Sequence, residues 1–159
     1  MRVVIQLLIC FICSQLALAQ EPFTGVVTKV IDGDSLQITV NGKKIETRLY
    51  GIDSPEYDQD SSKGAKKFVV NQVSGKQVTV YPQYKDSYGR LVAIISLKGK
   101  SLNYELVASG YAWVYPRYCK KAICSSWEEA QKKARKKRLG LWSEKKPVPP
   151  WRWKRMKRQ

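Results

Sequence analysis

The sequence predicts a small β-barrel capped by three helices, a fold of the α+β class. Short runs of alternating apolar and polar residues are separated by turn residues such as Asn41-Gly42, and this pattern indicates half-buried strands. Three other segments carry apolar residues three and four positions apart, which is the spacing of an amphipathic helix. The 159 residues provide one core, so we expect the strands and helices to share a single domain.

Three strands are predicted early in the chain, over residues 24–31, 36–40 and 43–50. Asp32-Gly33-Asp34 ends the first strand, because Asp and Gly favour turns. Asn41-Gly42 joins the next two strands, since this pair is the strongest short signal for a hairpin. The hairpin folds the chain back, and we therefore expect Asp34 and residues 48–56 to lie close together.

The remainder of the domain mixes helices and strands. Helices are predicted over residues 61–73, 101–109 and 126–139, strands over residues 77–81 and 91–97, and an extended segment over residues 111–115. Ser125 and Ser126 precede two glutamates at capping-box spacing, which places the start of the third helix at Ser126. Short strands with three helices and many turns match the five-stranded oligonucleotide-binding (OB) barrel best in size.

The first 19 residues have the features of a signal peptide. Arg2 gives a positive start, a mostly apolar stretch follows, and Ala17-Leu18-Ala19 is a small-residue cleavage site. We expect cleavage after Ala19, a secreted or periplasmic protein and no stable membrane insertion after cleavage; a retained anchor is the alternative. The predicted organisation is therefore a signal peptide over residues 1–19, a barrel domain over 20–143 and a basic Pro- and Trp-rich tail over 144–159.

The chain is strongly basic. It contains 29 Lys and Arg against 13 Asp and Glu, a balance typical of proteins that bind polyanions such as nucleic acid. The open alternative is a cationic protein that binds anionic surfaces without chemistry, using its Trp- and Arg-rich tail. The chain has no His, which excludes His-ligated zinc sites and catalysis by a histidine base.

Two cysteines remain after export, Cys119 and Cys124, because Cys10 and Cys13 leave with the signal peptide. Outside the cytoplasm such a pair can persist as a disulfide. The loop that it closes is short, so the expected gain in stability is modest. We predict a Cys119–Cys124 disulfide, with metal binding by two thiolates as the alternative.

Carboxylates and arginines around the first hairpin predict a site for a cation and a phosphate. Asp34 and Asp53 can share one cation with a backbone carbonyl and water, a donor set that suits Ca²⁺ or Mg²⁺. Such a cation polarises a phosphodiester. Arg48 and Arg90 can donate to the phosphate oxygens, and with no His in the chain Glu56 is the natural general base or water-orienting group.

Five segments resemble the staphylococcal nuclease (thermonuclease) family in its short secreted bacterial form. They are VIDGDS at 30–35, RLYGIDSPE at 48–56, DSYGR at 86–90, LVASGYAWVY at 106–115 and GLW at 140–142. They occur in the order of the family, and the tail sequence PPWRW at 149–153 is similar to the end of many bacterial members. The resemblance implies an OB-fold barrel with three helices and a Ca²⁺-dependent phosphodiesterase that cleaves DNA and RNA and leaves 3′-phosphate ends.

The resemblance also implies roles for individual residues. Three stand at catalytic positions: Arg48, Glu56 and Arg90. Three stand at the positions of the Ca²⁺ ligands: Asp34, Asp53 and Ser54. Ser54 would bind through its backbone carbonyl. Asp32 resembles an acid just outside this ligand shell. Whether Glu56 is a true base or orders water and the loop stays open.

The aromatic positions of the family imply how substrate is bound. Tyr88, Trp113 and Tyr115 stand near the bound nucleotide, and aromatic rings beside a basic groove favour single-stranded DNA and RNA without sequence readout.

We expect a monomer. The sequence departs from the family pattern at Asp58 and Asp60, in the loop after the catalytic glutamate. The alternative function is a catalytically silent OB-fold module that binds nucleic acid.

Overall fold

The computed structural model describes residues 21–158, and the predicted signal peptide lies outside this range. The strands are β1 (Phe23–Val30), β2 (Ser35–Val40), β3 (Lys43–Leu49), β4 (Ile52–Asp53), β5 (Gln77–Lys85), β6 (Leu91–Leu97), β7 (Lys100–Ser101) and β8 (Trp113–Val114). The helices are α1 (Ser62–Val73), α2 (Leu102–Ala108), α3 (Ile123–Lys136), a 3₁₀ turn (Gly140–Ser143) and α4 (Pro150–Met156). Between residues 21 and 158, no helix combines the length and the apolar character needed to cross a membrane.

The five longest strands form a closed barrel. They follow one another in the order β3-β2-β1-β5-β6, and β3 closes the ring by pairing in parallel with β6. Alternate residues of these strands are buried, as in the interior-facing Leu36 and Ile38 of β2, because successive side chains of a strand point to opposite faces. The predicted five-stranded OB barrel is therefore confirmed.

The predicted element boundaries hold to within two residues except at the end of β5 and at both ends of α3, which stops at Lys136 rather than at residue 139. Strand β5 continues to Lys85, four residues beyond the predicted end. Helix α3 begins at Ile123, three residues before the predicted start, and Ala122 precedes it without a capping side chain. The hydroxyl of Ser126 donates to the carbonyl of Ile123 instead of capping the helix. The predicted capping box was wrong because Cys124, buried in the first turn and bonded to Cys119, fixes where the helix begins.

The prediction of three helices misses α4, which lies in the segment predicted as a tail. A helix of seven residues is marginal in isolation, so tertiary packing must stabilise it. Trp151 supplies this packing, because it lies against a small apolar cluster that contains Trp113 and Trp142. Residues 144–158 are therefore a folded part of the protein.

One buried polar side chain connects α2 to the barrel. Asn103 is fully buried; its amide donates to the carbonyl of Tyr50, and its Oδ1 accepts from the backbone N–H of Ile95. The hydroxyl of Tyr50 in turn accepts from the backbone N–H of Lys120. Since a buried polar group is costly without partners, these bonds fix the chain at the point where β3 leads into residues 51–56.

Candidate active site

Two carboxylates and one guanidinium meet at the end of the barrel where β3 leaves the sheet. Nη1 of Arg48 lies 2.8 Å from Oδ2 of Asp34, and Nη2 lies 2.6 Å from Oδ1 of Asp53. The aspartates are almost fully buried, with 5% and 3% of their surface exposed. The structure thus brings together both predicted carboxylate ligands and one predicted catalytic arginine.

The turn between β1 and β2 places Asp34. Its backbone N–H donates to Oδ1 of Asp32 at 2.9 Å, and its own Oδ2 accepts from the backbone N–H of Ser54 at 2.6 Å. A side chain at Gly33 would come within 2.5 Å of the Ser54 hydroxyl, so glycine permits this close approach. The turn and the Ser54 segment are therefore locked together.

A short second sheet places Asp53. Strand β4 pairs with β8 so that Asp53 lies opposite Trp113. Just before β4, the carbonyl of Gly51 accepts from the backbone N–H of Tyr115. Gly51 has φ of +69°, a conformation that glycine adopts without strain. Asp53 on β4 and Tyr115 directly after β8 are consequently held at fixed positions.

Burial raises the pKa of two acids in this cluster. For Asp53, desolvation and then repulsion from the Asp34 carboxylate raise the pKa to about 7, although Arg48 opposes the shift. Desolvation and the same neighbouring carboxylate raise the pKa of Asp32 to about 6. The cluster sets three carboxylates, Asp32, Asp34 and Asp53, against the single guanidinium of Arg48, so its negative charge exceeds its positive charge when the acids are ionised.

This excess of negative charge fits a divalent cation. Within residues 21–158 no group of three or more Asp, Glu, His or Cys side chains is arranged to hold a metal, so the side-chain donors would be two, Asp34 and Asp53. The backbone carbonyl of Ser54 and water would complete the shell. Ser54 is buried, and its backbone N–H donates to Asp34. An all-oxygen set with few protein ligands suits Ca²⁺ or Mg²⁺.

Arg90 is held by the loop that precedes it. Nε and Nη2 of Arg90 each lie 2.8 Å from Oδ2 of Asp86, while Oδ1 of Asp86 accepts from the backbone N–H groups of Tyr88 and Arg90. Burial opposes ionisation of Asp86, but these hydrogen bonds outweigh it and lower its pKa. The guanidinium also lies over the Tyr88 ring, so Arg90 and Tyr88 form one unit.

Glu56 lies in the loop after Pro55 and has two anchors. Its backbone N–H donates to Oε1 of Gln59 at 2.9 Å. Its carboxylate Oε1 lies 2.8 Å from Nζ of Lys154 on α4, and its side chain is 26% exposed. The predicted catalytic glutamate therefore bonds to the C-terminal helix.

A cleft of about 510 Å³ opens beside the carboxylate cluster. Five of the predicted residues line it: Arg48, Asp53, Tyr88, Arg90 and Tyr115. Tyr88 is 83% exposed, which leaves its ring free to contact a ligand. The walls of the cleft thus combine cationic and aromatic side chains.

The structure does not bring Trp113 to the cleft. Its ring is buried and packs edge-on against Trp142, with centroids 4.2 Å apart. Trp151 lies beside it and lines the cleft instead, stacked on Tyr115 at 4.5 Å with an interplanar angle of 7°. The packed ring of Trp113 supports the cleft wall from behind, and its part in substrate binding stays a prediction.

The predicted disulfide between Cys119 and Cys124 is present. It closes the segment that follows Tyr115, and a side chain at Gly51 would come within 2.7 Å of the Cys119 sulfur. Tyr118, on the same segment, also lines the cleft. The disulfide therefore fixes one aromatic wall against the start of β4.

Five aromatic or cationic side chains of the cleft were not predicted for the site from the sequence: Tyr84, Lys85, Tyr118, Trp151 and Lys154. Tyr84 lies in the part of β5 beyond its predicted end. Trp151 and Lys154 belong to the segment predicted as a basic Pro- and Trp-rich tail. The spacing of residues within such a tail does not predict that it packs against a cleft. Aromatic residues interleaved with cations were the one signal available.

The comparisons with known proteins agree with this geometry. Residues 46–144 match the family described as staphylococcal nuclease homologue. A protein of Escherichia coli described as an uncharacterized endonuclease is 36% identical over 134 residues, which is 84% of this chain and 86% of that protein.

Two further relatives extend the same likeness. A Haemophilus influenzae protein described as an uncharacterized endonuclease is 34% identical over 143 residues, or 89% of this chain and 79% of that protein. The micrococcal nuclease of Shigella flexneri is 32% identical over 146 residues, or 86% of this chain and 83% of that protein. The chain therefore belongs to the staphylococcal nuclease family and is a nuclease.

Proposed function

We propose that this nuclease is a secreted, monomeric enzyme that uses Ca²⁺ to hydrolyse DNA and RNA, preferably single-stranded, and that leaves 3′-phosphate ends. One observation carries the proposal: Arg48 is joined to the two buried aspartates at the edge of a cleft that Arg90 also lines. A metal-neutralised phosphate beside two guanidinium groups is the arrangement that phosphodiester hydrolysis needs.

Arg48 and Arg90 would bind the scissile phosphate. When bound by Asp34, Asp53 and the Ser54 carbonyl, Ca²⁺ would polarise the phosphodiester and offset its charge. The guanidinium groups donate to the phosphate oxygens on which negative charge grows in the transition state. Both are already oriented by carboxylates, so little reorganisation is needed when substrate arrives.

Glu56 would hold the attacking water. The water oxygen forms the new bond to phosphorus, its proton passes to the carboxylate or to surrounding water, and the P–O5′ bond breaks. The leaving 5′ oxygen takes a proton, and the phosphate stays on the 3′ side. With no His in the chain, this carboxylate is the natural group for that role.

The aromatic walls of the cleft support a preference for single strands. Tyr88, Tyr115 and Tyr118 all line it, and bases that are not paired can stack on such rings. The formal charge of +16 supports binding to any polynucleotide backbone. We expect affinity to fall as salt rises, because Lys and Arg that contact phosphates release counterions.

The decisive experiment uses the mature protein, residues 20–159. Single-stranded DNA and RNA are incubated with it in EDTA, in Ca²⁺ and in Mg²⁺, beside a Glu56→Gln variant, and the product ends are identified. Cleavage to 3′-phosphates in Ca²⁺, strongly reduced in the variant, is expected. Equal cleavage in EDTA would remove the metal from the proposal, and 5′-phosphate ends would contradict the assigned bond.

Secretion is tested separately. The signal sequence over residues 1–19 is the support for this part of the proposal. The exported protein is expected to begin at Gln20, as N-terminal sequencing would show. A protein recovered only inside the cell with its first residues intact would contradict export.

A further inference from the structure

Helix α4 reaches back to the loop that carries Glu56. Nζ of Lys154 lies 2.8 Å from the Glu56 carboxylate, across 98 residues of sequence, and the lysine side chain is 48% exposed. Lys154 also lines the cleft beside Arg48 and Asp53. The C-terminal segment thus places a cation directly on a proposed catalytic group.

The contact is one part of a wider attachment. Nε1 of Trp153 donates to Oδ1 of Asp58 at 2.9 Å, and Lys157 pairs with the same carboxylate. The amide of Gln59 donates to the carbonyl of Val148 at 2.9 Å. Since Oε1 of Gln59 accepts from the backbone N–H of Glu56, this one side chain connects the glutamate to the C-terminal segment.

The other end of α4 is fixed to the cleft wall. Trp151 stacks on Tyr115 and packs edge-on against Trp113, at centroid distances of 4.5 Å and 6.0 Å. Aromatic pairs of this kind stabilise beyond the area that they bury. The helix is therefore held at both ends, and Lys154 lies between the two anchors.

We propose that Lys154 is a positioning residue for Glu56 and that α4 is accordingly part of the active site. The inference rests on the catalytic role of Glu56 proposed above. A glutamate on a partly exposed loop loses several rotamers when it is ordered. The Lys154 ammonium, which itself lines the cleft, provides a partner that orders the Glu56 carboxylate before substrate binds, which is the general advantage of preorganised groups.

The favourable charge balance around Lys154 supports this role. Desolvation opposes protonation, but the hydrogen bond to Glu56 and the nearby Asp53 raise the pKa of Lys154, while Arg48 works in the opposite direction. The lysine therefore stays charged and paired.

The test compares three single variants in Ca²⁺ on one single-stranded DNA oligonucleotide. Lys154→Met removes the ammonium and keeps the length of the side chain, Lys154→Arg retains a cation, and Arg155→Met removes an exposed charge from the same helix as the control. We expect Lys154→Met to lower kcat about tenfold with KM changed less than threefold, Lys154→Arg to recover most of kcat, and the control to keep kcat within twofold.

A double variant separates positioning from other roles. In the Glu56→Gln background, adding Lys154→Met should have no further effect on kcat, because a residue that acts through Glu56 has nothing left to position. A further tenfold loss would instead mean that Lys154 contacts substrate directly, and it would overturn the inference. An increase in kcat in Lys154→Met alone would also overturn it, since α4 would then restrain Glu56.

The outcomes distinguish this inference from the proposed function. If the wild-type protein cleaves and Glu56→Gln does not, but Lys154→Met matches the Arg155→Met control, only the role of Lys154 fails. If Glu56→Gln retains the wild-type rate, the proposed role of Glu56 fails first. Circular dichroism and the melting temperature of each variant confirm that the compared proteins are folded.

Discussion

The carboxylate cluster and the C-terminal segment converge on the same cleft but are stabilised differently. In the cluster, Arg48 and its two aspartates are nearly enclosed, and the longest sequence separation among its bonds is 20 residues. In the C-terminal segment, the bonds from Val148 and Trp153 to the loop after Glu56 span 89 and 95 residues and stay partly exposed.

This difference separates the chemistry from its support. The cluster is defined by local turns and strand register, so its geometry follows from short segments of sequence. The C-terminal segment acquires its position through contacts distant in sequence, and we expect it to open more readily than the barrel unfolds. We therefore expect changes in the cluster to alter chemistry or global stability and changes in the segment to act through its docking.

The largest effect is expected from Arg48→Ala. The variant removes a bidentate donor to phosphate and leaves Asp34 and Asp53 without their shared partner, so kcat should fall by about 10³-fold. The barrel should survive, because its strand pairs do not depend on this side chain. Steady-state cleavage in Ca²⁺ measures the loss.

Arg152→Ala is the matched control for that experiment. Arg152 is an exposed arginine on α4, so its removal changes the net charge equally without touching the cluster. Its rate should stay within about twofold of wild type. If Arg48→Ala and Arg152→Ala gave the same rate, the cluster would have no special part in turnover.

The same contrast explains what the sequence predicted. The barrel and the cluster were predictable because Asn41-Gly42 and residues 48–56 carry local turn and strand signals, and the motifs keep the order of the family. The start of α3 was predicted wrongly because the buried Cys124 and its disulfide decide it, against the local capping preference. A disulfide is a tertiary constraint that overrides local propensity.

Helix α4 and the place of Trp151 in the cleft wall could not be inferred from local sequence. Seven residues rich in Trp, Lys and Arg carry no strong helix pattern, and the partners of α4 are distant in sequence, from Tyr115 beside Trp151 to Glu56 and Asp58 beside Lys154 and Trp153. The sequence therefore pointed to Trp113, which lies within a motif, whereas the structure places Trp151 at the cleft. The order of the motifs therefore predicts which residues carry the chemistry of a site more readily than it predicts which helices and strands cover that site.

The next effect concerns stability rather than turnover. In the metal-free protein the pKa of Asp53 is about 7, against an ordinary value of 3.8. Between these values the folded protein binds more protons than the unfolded chain, so the free energy of unfolding should fall as pH rises from about 4 to about 7. Asp32, whose pKa is also raised, contributes in the same direction.

Asp53→Asn should remove most of the fall in the free energy of unfolding between pH 4 and pH 7. At pH 8 in EDTA the variant should be more stable than wild type by roughly 3 kcal/mol, and at pH 4 the two should be nearly equal. Urea unfolding at several pH values measures the difference, with Asp60→Asn as an exposed control. A wild-type protein whose stability rises from pH 4 to pH 8 in EDTA would contradict the sign.

A smaller effect is expected from the disulfide. Replacing Cys119 and Cys124 by Ser opens a loop with a sequence separation of only 5, so the cost should be about 2 kcal/mol. Because Cys119 anchors the end of the segment that carries Tyr115 and Tyr118 at the cleft, KM should rise more than kcat falls. Urea unfolding and steady-state kinetics would show both, and unchanged stability would mean that packing alone fixes the loop.

The smallest effect tests the docking of α4 directly. Trp153→Phe keeps an aromatic ring and loses the hydrogen bond from Nε1 to Asp58, at a cost of about 1 kcal/mol. Opening of the helix should then be about fivefold more frequent, and trypsin should cut within residues 152–158 faster by the same factor. Global urea unfolding should change little, because the barrel does not need this bond, and Tyr104→Phe on α2 should leave the cutting rate unchanged. Equal cutting rates in Trp153→Phe and wild type would show that the segment is held by Trp151 and Lys154 rather than by Asp58.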